Sequence, residues 1–212
     1  MSKSERRFSP SAWAVSGFTL FYTVIAVVWA FAAGNDEFKF YLLVLPLFFL
    51  VIGYLHFRIR FSTGLLWCLS VLTLMHMLGG LVLVSRSAPT EGKRLLYNLW
   101  LIEDVFKYDH LVHMFGGGIA SWFCWQVLRR MWGNKSWLFR RQHPRPVVLM
   151  ICALAGFGIG SINEVMEFAA TRMVDDANVG GYANNALDLI ANTAGGLIAA
   201  FLLWKLERPD AK

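Results

Sequence analysis

Long apolar blocks separated by short polar stretches dominate the pattern of this 212-residue chain. Each block holds about twenty residues, which is the length that a helix needs to cross a hydrocarbon core of ~30 Å. The pattern therefore predicts six membrane-spanning helices, at about 13–33, 38–57, 64–84, 111–128, 147–169 and 185–204. A chain organised in this way is typical of a polytopic membrane protein.

Composition agrees with the pattern, because 57% of the residues are hydrophobic and 16% are charged. Soluble domains have about 25% charged residues. This balance excludes a soluble enzyme, a disordered chain and a disulfide-stapled secreted domain. With no internal repeat and no soluble domain, we predict one all-α transmembrane domain over 1–212, with scaffold helices at about 13–84 and motif-bearing helices at about 105–204.

Basic residues alternate sharply between the predicted connections. Of the 20 Lys and Arg residues, 14 lie on one side: Lys3, Arg6, Arg7, Arg58, Arg60, Arg129, Arg130, Lys135, Arg140, Arg141, Arg145, Lys205, Arg208 and Lys212. Basic loops stay in the cytoplasm, so both termini are predicted to be cytoplasmic. The net charge of +6 then reflects orientation in a bacterial cytoplasmic membrane, and nucleic acid is not an expected partner.

Two segments need a separate interpretation. The N-terminal basic residues and Ala30-Phe31-Ala32 imitate a signal peptide, but the long apolar region favours an uncleaved first helix. In the outer loop between the third and fourth spans, 93–104 is too polar at its ends to cross the membrane and too apolar to be solvated. An interfacial helix is expected there.

Ionisable residues are costly inside a membrane, so each one in a span is a functional candidate. They concentrate in the outer third of the last three spans, where Asp109, His110 and His113 open the fourth, Glu164 and Glu167 close the fifth, and Asp188 and Asn192 open the sixth. His76, just beyond the midplane of the third span, is a weaker candidate.

The spacing of these residues gives each helix one polar face. Asp109 and His113 are four residues apart, as are Asp188 and Asn192, while Glu164 and Glu167 are three apart. Small residues near each pair should let the three helices approach closely: Gly116, Gly117, Gly118, Gly156, Gly160, Gly195 and Gly196. The three polar faces are therefore expected to meet.

Such a cluster permits several chemistries, which the residues alone leave open. Imidazoles with carboxylates suit zinc, iron or manganese, with His110, His113, Glu164, Glu167 and Asp188 as the candidate ligands and His76 as a weak one. Metal-free acid–base catalysis would use Asp109, His113, Glu164, Glu167, Asp188 and Asn192. The same groups also fit an ion relay in a transporter, or a polar network that only locks helices together.

The ordered motifs Asp109-His110-Leu111-Val112-His113, Asn163-Glu164-Val165-Met166-Glu167 and Asp188-Leu189-Ile190-Ala191-Asn192-Thr193-Ala194-Gly195 resemble those of the VanZ-like and YjdF-like membrane proteins. The resemblance covers about residues 105–204. It departs from the families' pattern at His110, where a lysine is usual, and at Glu167, where VanZ-like proteins tend to have glutamine. Because VanZ is associated with glycopeptide resistance, the resemblance implies work on the cell envelope without naming a reaction.

The leading hypothesis is a membrane-embedded enzyme that acts on a lipid or lipid-linked envelope substrate by metal-dependent or acid–base chemistry. An ion-coupled transporter of a small envelope-related solute and a non-catalytic membrane factor are the alternatives. Confinement of the cluster to one leaflet favours the enzyme, because a carrier also needs polar groups along an inner half-path. Membrane lipids are the expected partners, and the oligomeric state does not follow from the sequence.

Overall fold

The computed structural model describes residues 10–132, 146–175 and 177–206. Within them are six α-helices, each long and apolar enough to cross a membrane: α1 (Pro10–Ala32), α2 (Asp36–Ile59), α3 (Thr63–Leu81), α4 (Tyr108–Trp132), α5 (Pro146–Met173) and α6 (Tyr182–Leu206). The predicted all-α, six-helix membrane architecture is confirmed. Each predicted span lies within or close to its helix, with differences of a few residues at the ends.

Capping residues define where α2 begins and ends and where α3 begins. The Asn35 side chain accepts a hydrogen bond from the Phe38 amide at the start of α2, and Ser62 accepts one from the Leu65 amide at the start of α3. Both satisfy amides that have no partner within the helix. Between the two helices, Arg60 adopts a left-handed conformation with φ of 62°, which ends α2 and turns the chain into α3.

The described chain divides into two compact units, the first ending at Leu99 and the second beginning at Trp100. The prediction of a single domain is not tested by this division and stays a prediction. In the first unit α1, α2 and α3 pack around an apolar core formed by Tyr22, Ala26, Ala30, Phe38, Met77 and Leu81. The Tyr22 hydroxyl donates to the Ser70 carbonyl at 2.7 Å, which ties α1 to α3.

The outer loop after α3 corrects one expectation, because 93–104 does not form an interfacial α-helix. It contains a 3-10 turn at Leu96–Asn98 and the strand β1 (Trp100–Ile102), which pairs antiparallel with β2 (Phe106–Lys107). Asp104 takes a left-handed φ of 57° in the tight connection, which no helix interior permits. Backbone pairing of Val82 and Val84 with Leu96 and Arg94 replaces the hydrogen bonds of a helix.

In the second unit α4, α5 and α6 pack against one another through small residues. A methyl group at Gly117 would overlap the Asn192 carbonyl, and one at Gly195 would overlap the Met114 carbonyl. At Gly160 a methyl group would overlap the Asn192 side chain. The expected close approach of these three helices at glycines is therefore confirmed.

These contacts also define the relative direction of the three helices. Along α4 and α6, Gly117 lies beside Asn192 and Ser121 beside Gly196, so the two helices run the same way. Along α5 the order is reversed, because Gly156 lies beside Ser121 and Gly160 beside Asn192. The start of α4, the end of α5 and the start of α6 consequently lie at one end of the second unit.

Candidate functional site

His113 lies at the centre of the polar side chains at this end. Its ring is buried, with 3% of the side chain exposed, and it faces groups from all three helices. Four carboxylate oxygens lie within 4 Å of its ring nitrogens: Glu164 Oε1 at 3.3 Å from Nδ1, and Asp109 Oδ1 at 3.5 Å, Glu167 Oε1 at 3.8 Å and Asp188 Oδ1 at 3.8 Å from Nε2. The Asn192 amide lies 3.2 Å from Nδ1.

All six residues named as catalytic candidates are thus brought together in one site. The helical spacings act as expected, since Asp109 and His113 share one face of α4 while Glu164 and Glu167 share one face of α5. Asp188 is fully buried, whereas the side chains of Asp109 and Glu167 are 16% and 18% exposed. The cluster therefore opens to its surroundings on the side of these two carboxylates.

Three asparagines orient the carboxylates, and sequence reasoning missed this role. Asn163 donates to Glu167 Oε1 at 2.7 Å, Asn185 donates to Glu164 Oε2 at 2.9 Å, and Asn184 donates to Asp188 Oδ2 at 2.6 Å. The spacing of four residues between Asn163 and Glu167, and between Asn184 and Asp188, is the signal that would have found two of them.

Asn184 and Asn185 lie within the first turn of α6, which begins at Tyr182, so their side chains are available to the cluster. The Lys107 ammonium, buried near the start of α4, donates to Asn184 Oδ1. Because an ammonium only donates hydrogen bonds, this contact assigns the Asn184 oxygen to Lys107 and its NH₂ group to Asp188. Lys107 is a further residue that sequence reasoning missed, since it precedes the apolar block.

Three atoms that point into the cluster have no hydrogen-bond partner among the described residues: His113 Nε2, Glu164 Oε1 and Asp188 Oδ1. Each belongs to a side chain that is more than nine-tenths buried. Buried polar atoms without partners are rare, because each costs roughly 1–3 kcal/mol. Glu164 and Asp188 each satisfy their other oxygen with an asparagine amide, so Glu164 Oε1 is held toward His113 Nδ1 and Asp188 Oδ1 toward Nε2.

The two remaining histidine candidates are placed differently. His110 accepts a hydrogen bond from the Lys107 amide at Nδ1, and its Nε2 lies 3.9 Å from Asp188 Oδ1. Its ring packs against Trp100 and Phe106. His76 belongs to the first unit, where its Nδ1 lies 2.6 Å from the Tyr97 hydroxyl.

The described residues contain two groups of potential metal ligands whose atoms lie within 4.8 Å of one another. One comprises Asp109, His113 and Asp188, and the other comprises His113, Glu164 and Glu167. His113 is common to both groups, whereas His76 and His110 are in neither. Imidazole and carboxylate donors at this separation have the chemistry to hold a divalent cation or to exchange protons.

Comparison with curated proteins and with solved structures gave no significant match. Comparison with protein families matched residues 15–209 to the family described as "Predicted membrane protein (DUF2238)". This match includes every described helix of the second unit and most of the first, together with all the residues of the cluster. The chain therefore belongs to the DUF2238 family of membrane proteins.

Proposed function

We propose that this protein is a bacterial cytoplasmic-membrane protein that holds a divalent cation in the His113 cluster. Both termini lie in the cytoplasm, so the cluster opens toward the outer face of the membrane. The cation serves chemistry on a lipid or lipid-linked envelope substrate. The observation that carries the proposal is a pair of buried atoms without hydrogen-bond partners in the described part of the chain, His113 Nε2 and Asp188 Oδ1, which lie 3.8 Å apart among the carboxyl groups of the cluster.

The charge of the cluster supports a cation. Four carboxyl groups surround one imidazole, and Asn184 links the Lys107 ammonium to one of them, Asp188. Ionised groups within a membrane are retained where they pair with opposite charge or coordinate a metal. A divalent cation would neutralise two of the carboxylates and supply the missing partner of His113 Nε2 and Asp188 Oδ1.

The donor types limit the cation. Carboxylate oxygens together with an imidazole nitrogen suit zinc, iron and manganese, while the soft thiolates that copper(I) prefers are absent from the cluster residues. The described cysteines, Cys68, Cys124 and Cys152, are free and belong to none of the ligand groups.

The position of the cluster supports a substrate at the membrane surface. Asp109 lies in the first turn of α4 and Glu167 lies two turns before the end of α5, so the exposed side of the cluster is near the helix ends. A bound cation there would polarise a phosphoryl or carbonyl oxygen, or activate a water molecule. The resemblance of these motifs to VanZ-like and YjdF-like proteins supports an envelope substrate.

Elemental analysis by mass spectrometry, after equilibration with zinc, iron(II) or manganese, tests the proposal. We expect near-stoichiometric metal in the wild type and its loss in Asp188→Asn, which keeps the shape of the side chain but removes its charge. Asp175→Asn is the matched control, because Asp175 is an exposed carboxylate at the same end, outside the cluster. It should retain the metal.

A wild type that remains free of metal in all three equilibrations would overturn the proposal. Proton-flux assays in liposomes would then distinguish an ion-coupled carrier from a network that only packs helices. If metal is found, hydrolysis of lipid phosphates and lipid-linked sugars, with and without a chelator, tests the catalytic part.

A further inference from the structure

The two nitrogens of His113 face different surroundings. Nε2 faces three carboxylate oxygens, from Asp109, Glu167 and Asp188, at 3.5, 3.8 and 3.8 Å. Nδ1 faces Glu164 Oε1 at 3.3 Å and the Asn192 amide at 3.2 Å. The contacts come from all three helices of the second unit, with Asp109 on α4, two glutamates on α5, and Asp188 and Asn192 on α6, so the packing of these helices establishes the asymmetry.

The distances around Nε2 are longer than hydrogen bonds, which measure about 2.7–3.2 Å. They match the spacing of ligands around a shared ion instead. Four ligands placed tetrahedrally at about 2.1 Å from a cation are about 3.4 Å from one another. Nε2, Asp109 and Asp188 form one ligand group whose atoms lie within 4.8 Å of one another, and Glu167 Oε1 lies 3.8 Å from the same nitrogen, so one ion beside Nε2 has these three carboxylates as its nearest ligands.

The surroundings of Nδ1 are those of the nitrogen that does not bind metal. A metal-bound histidine commonly donates its other N–H to a carboxylate, which selects the tautomer and orients the ring. Glu164 Oε1 is the carboxylate at this position, and Asn185 holds its Oε2 from the other side. A proton on Nδ1 is donated to Glu164 and not to the Asn192 NH₂ group, which itself only donates. The Nε2 lone pair then faces Asp109, Glu167 and Asp188.

We infer that the cation binds at His113 Nε2 with Asp109, Glu167 and Asp188, and that Glu164 is a positioning residue that accepts a hydrogen bond from Nδ1–H. This inference rests on the proposed metal-binding function and removes Glu164 and His110 from the set of ligands. His110 is excluded by its own bonds, because its Nδ1 accepts from the Lys107 amide while its Nε2 is farther from Asp188 than that of His113.

Manganese(II) is the probe for the test, because its electron spin echo is modulated by a directly bound nitrogen. In wild-type protein loaded with Mn²⁺ we expect modulation from one imidazole nitrogen. His110→Gln should retain the modulation and His113→Gln should lose it. Modulation that disappears in His110→Gln, or that is missing from the Mn²⁺-loaded wild type, would overturn the inference.

Binding titrations with Mn²⁺ separate the roles of the two glutamates on α5. Glu164→Gln should weaken binding by about 10- to 100-fold, as is usual for a residue that supports a ligand. Glu167→Gln removes a ligand charge and should weaken it more. If Glu164→Gln weakens Mn²⁺ binding as much as Glu167→Gln or more, Glu164 is a ligand and the inference is wrong.

These outcomes are distinguishable from failure of the proposed function. A wild type that binds no Mn²⁺, zinc or iron refutes both the metal site and its assignment. Tight binding of Mn²⁺ with the opposite order of the two glutamates refutes the assignment alone. Size-exclusion profiles of each variant in detergent confirm that the compared proteins are folded.

Discussion

At the scale of single residues, the cluster is organised by amide groups that hold carboxylates in place. Asn184 links the Lys107 ammonium to Asp188, while Asn163 and Asn185 each donate to a glutamate on α5. A carboxylate whose outer oxygen accepts an amide proton has a fixed orientation. Asp188 and Glu164 are therefore held in orientation by amides on one oxygen, while their other oxygens face His113.

Replacement of Asn184 by alanine tests this arrangement. Asn184→Ala removes the acceptor of a Lys107 hydrogen bond and the donor to Asp188, so we expect a loss of about 1–3 kcal/mol in the free energy of unfolding. Thermal unfolding in detergent measures it. Thr193→Ala on the same helix is the control, because the exposed Thr193 hydroxyl bonds only the Leu189 carbonyl in its own helix. An equal effect of the two substitutions would contradict the role of Asn184.

At the scale of helices, close backbone approach sets the position of the cluster. Gly195 of α6 lies against the Met114 carbonyl of α4, one residue beyond His113. Gly160 of α5 lies against Asn192, which in turn lies beside the His113 ring. Larger residues at these glycines would separate the polar faces, so packing and site geometry depend on the same contacts.

A pair of glycine substitutions distinguishes close packing from helix propensity. Gly195→Ala should destabilise the protein by about 1–3 kcal/mol or more, because a methyl group would meet rigid backbone. Gly158→Ala, within α5, places its methyl group in open space and should be neutral or stabilising by up to ~1 kcal/mol. Thermal unfolding of both variants in detergent measures the difference. Similar melting temperatures would show that α4 and α6 are not in contact at Gly195.

At the scale of the whole molecule, six apolar helices define a membrane protein whose exposed residues are largely hydrophobic. Large apolar side chains such as Leu43, Leu50 and Val165 are more than 60% exposed. In water such surfaces would aggregate, whereas in a bilayer they contact lipid tails. The direction in which the helices enter the membrane rests on the distribution of basic residues.

Cysteine labelling tests this orientation. In a background without native cysteines, Asp175→Cys should react with a membrane-impermeant thiol reagent added to intact cells, because it follows α5 at the end that carries the cluster. Lys135→Cys, in the basic connection outside the described residues, should react only after the membrane is permeabilised. The opposite labelling pattern would place the cluster on the cytoplasmic face.

The sequence by itself determined the features that depend on local periodicity. The six apolar blocks specify helices because each is long enough to cross a bilayer and too apolar to remain in water. Spacings of three and four residues place Asp109 with His113 and Glu164 with Glu167 on one helix face, whatever the partners of those faces are. Motif glycines near each pair also predicted where the helices would approach.

Tertiary structure decided the features that depend on non-local contacts. Whether 93–104 forms an α-helix or a 3-10 turn and a strand depended on backbone pairing with the segment after α3, which no local pattern reports. The bonds of Asn184 and Asn185 to Asp188 and Glu164 exist because α6 begins at Tyr182 and packs against α5, so that these amides face the cluster. Which carboxylates face each nitrogen of His113 likewise follows from the packing of three helices, because contacts between distant segments are not encoded in the spacing of any one helix.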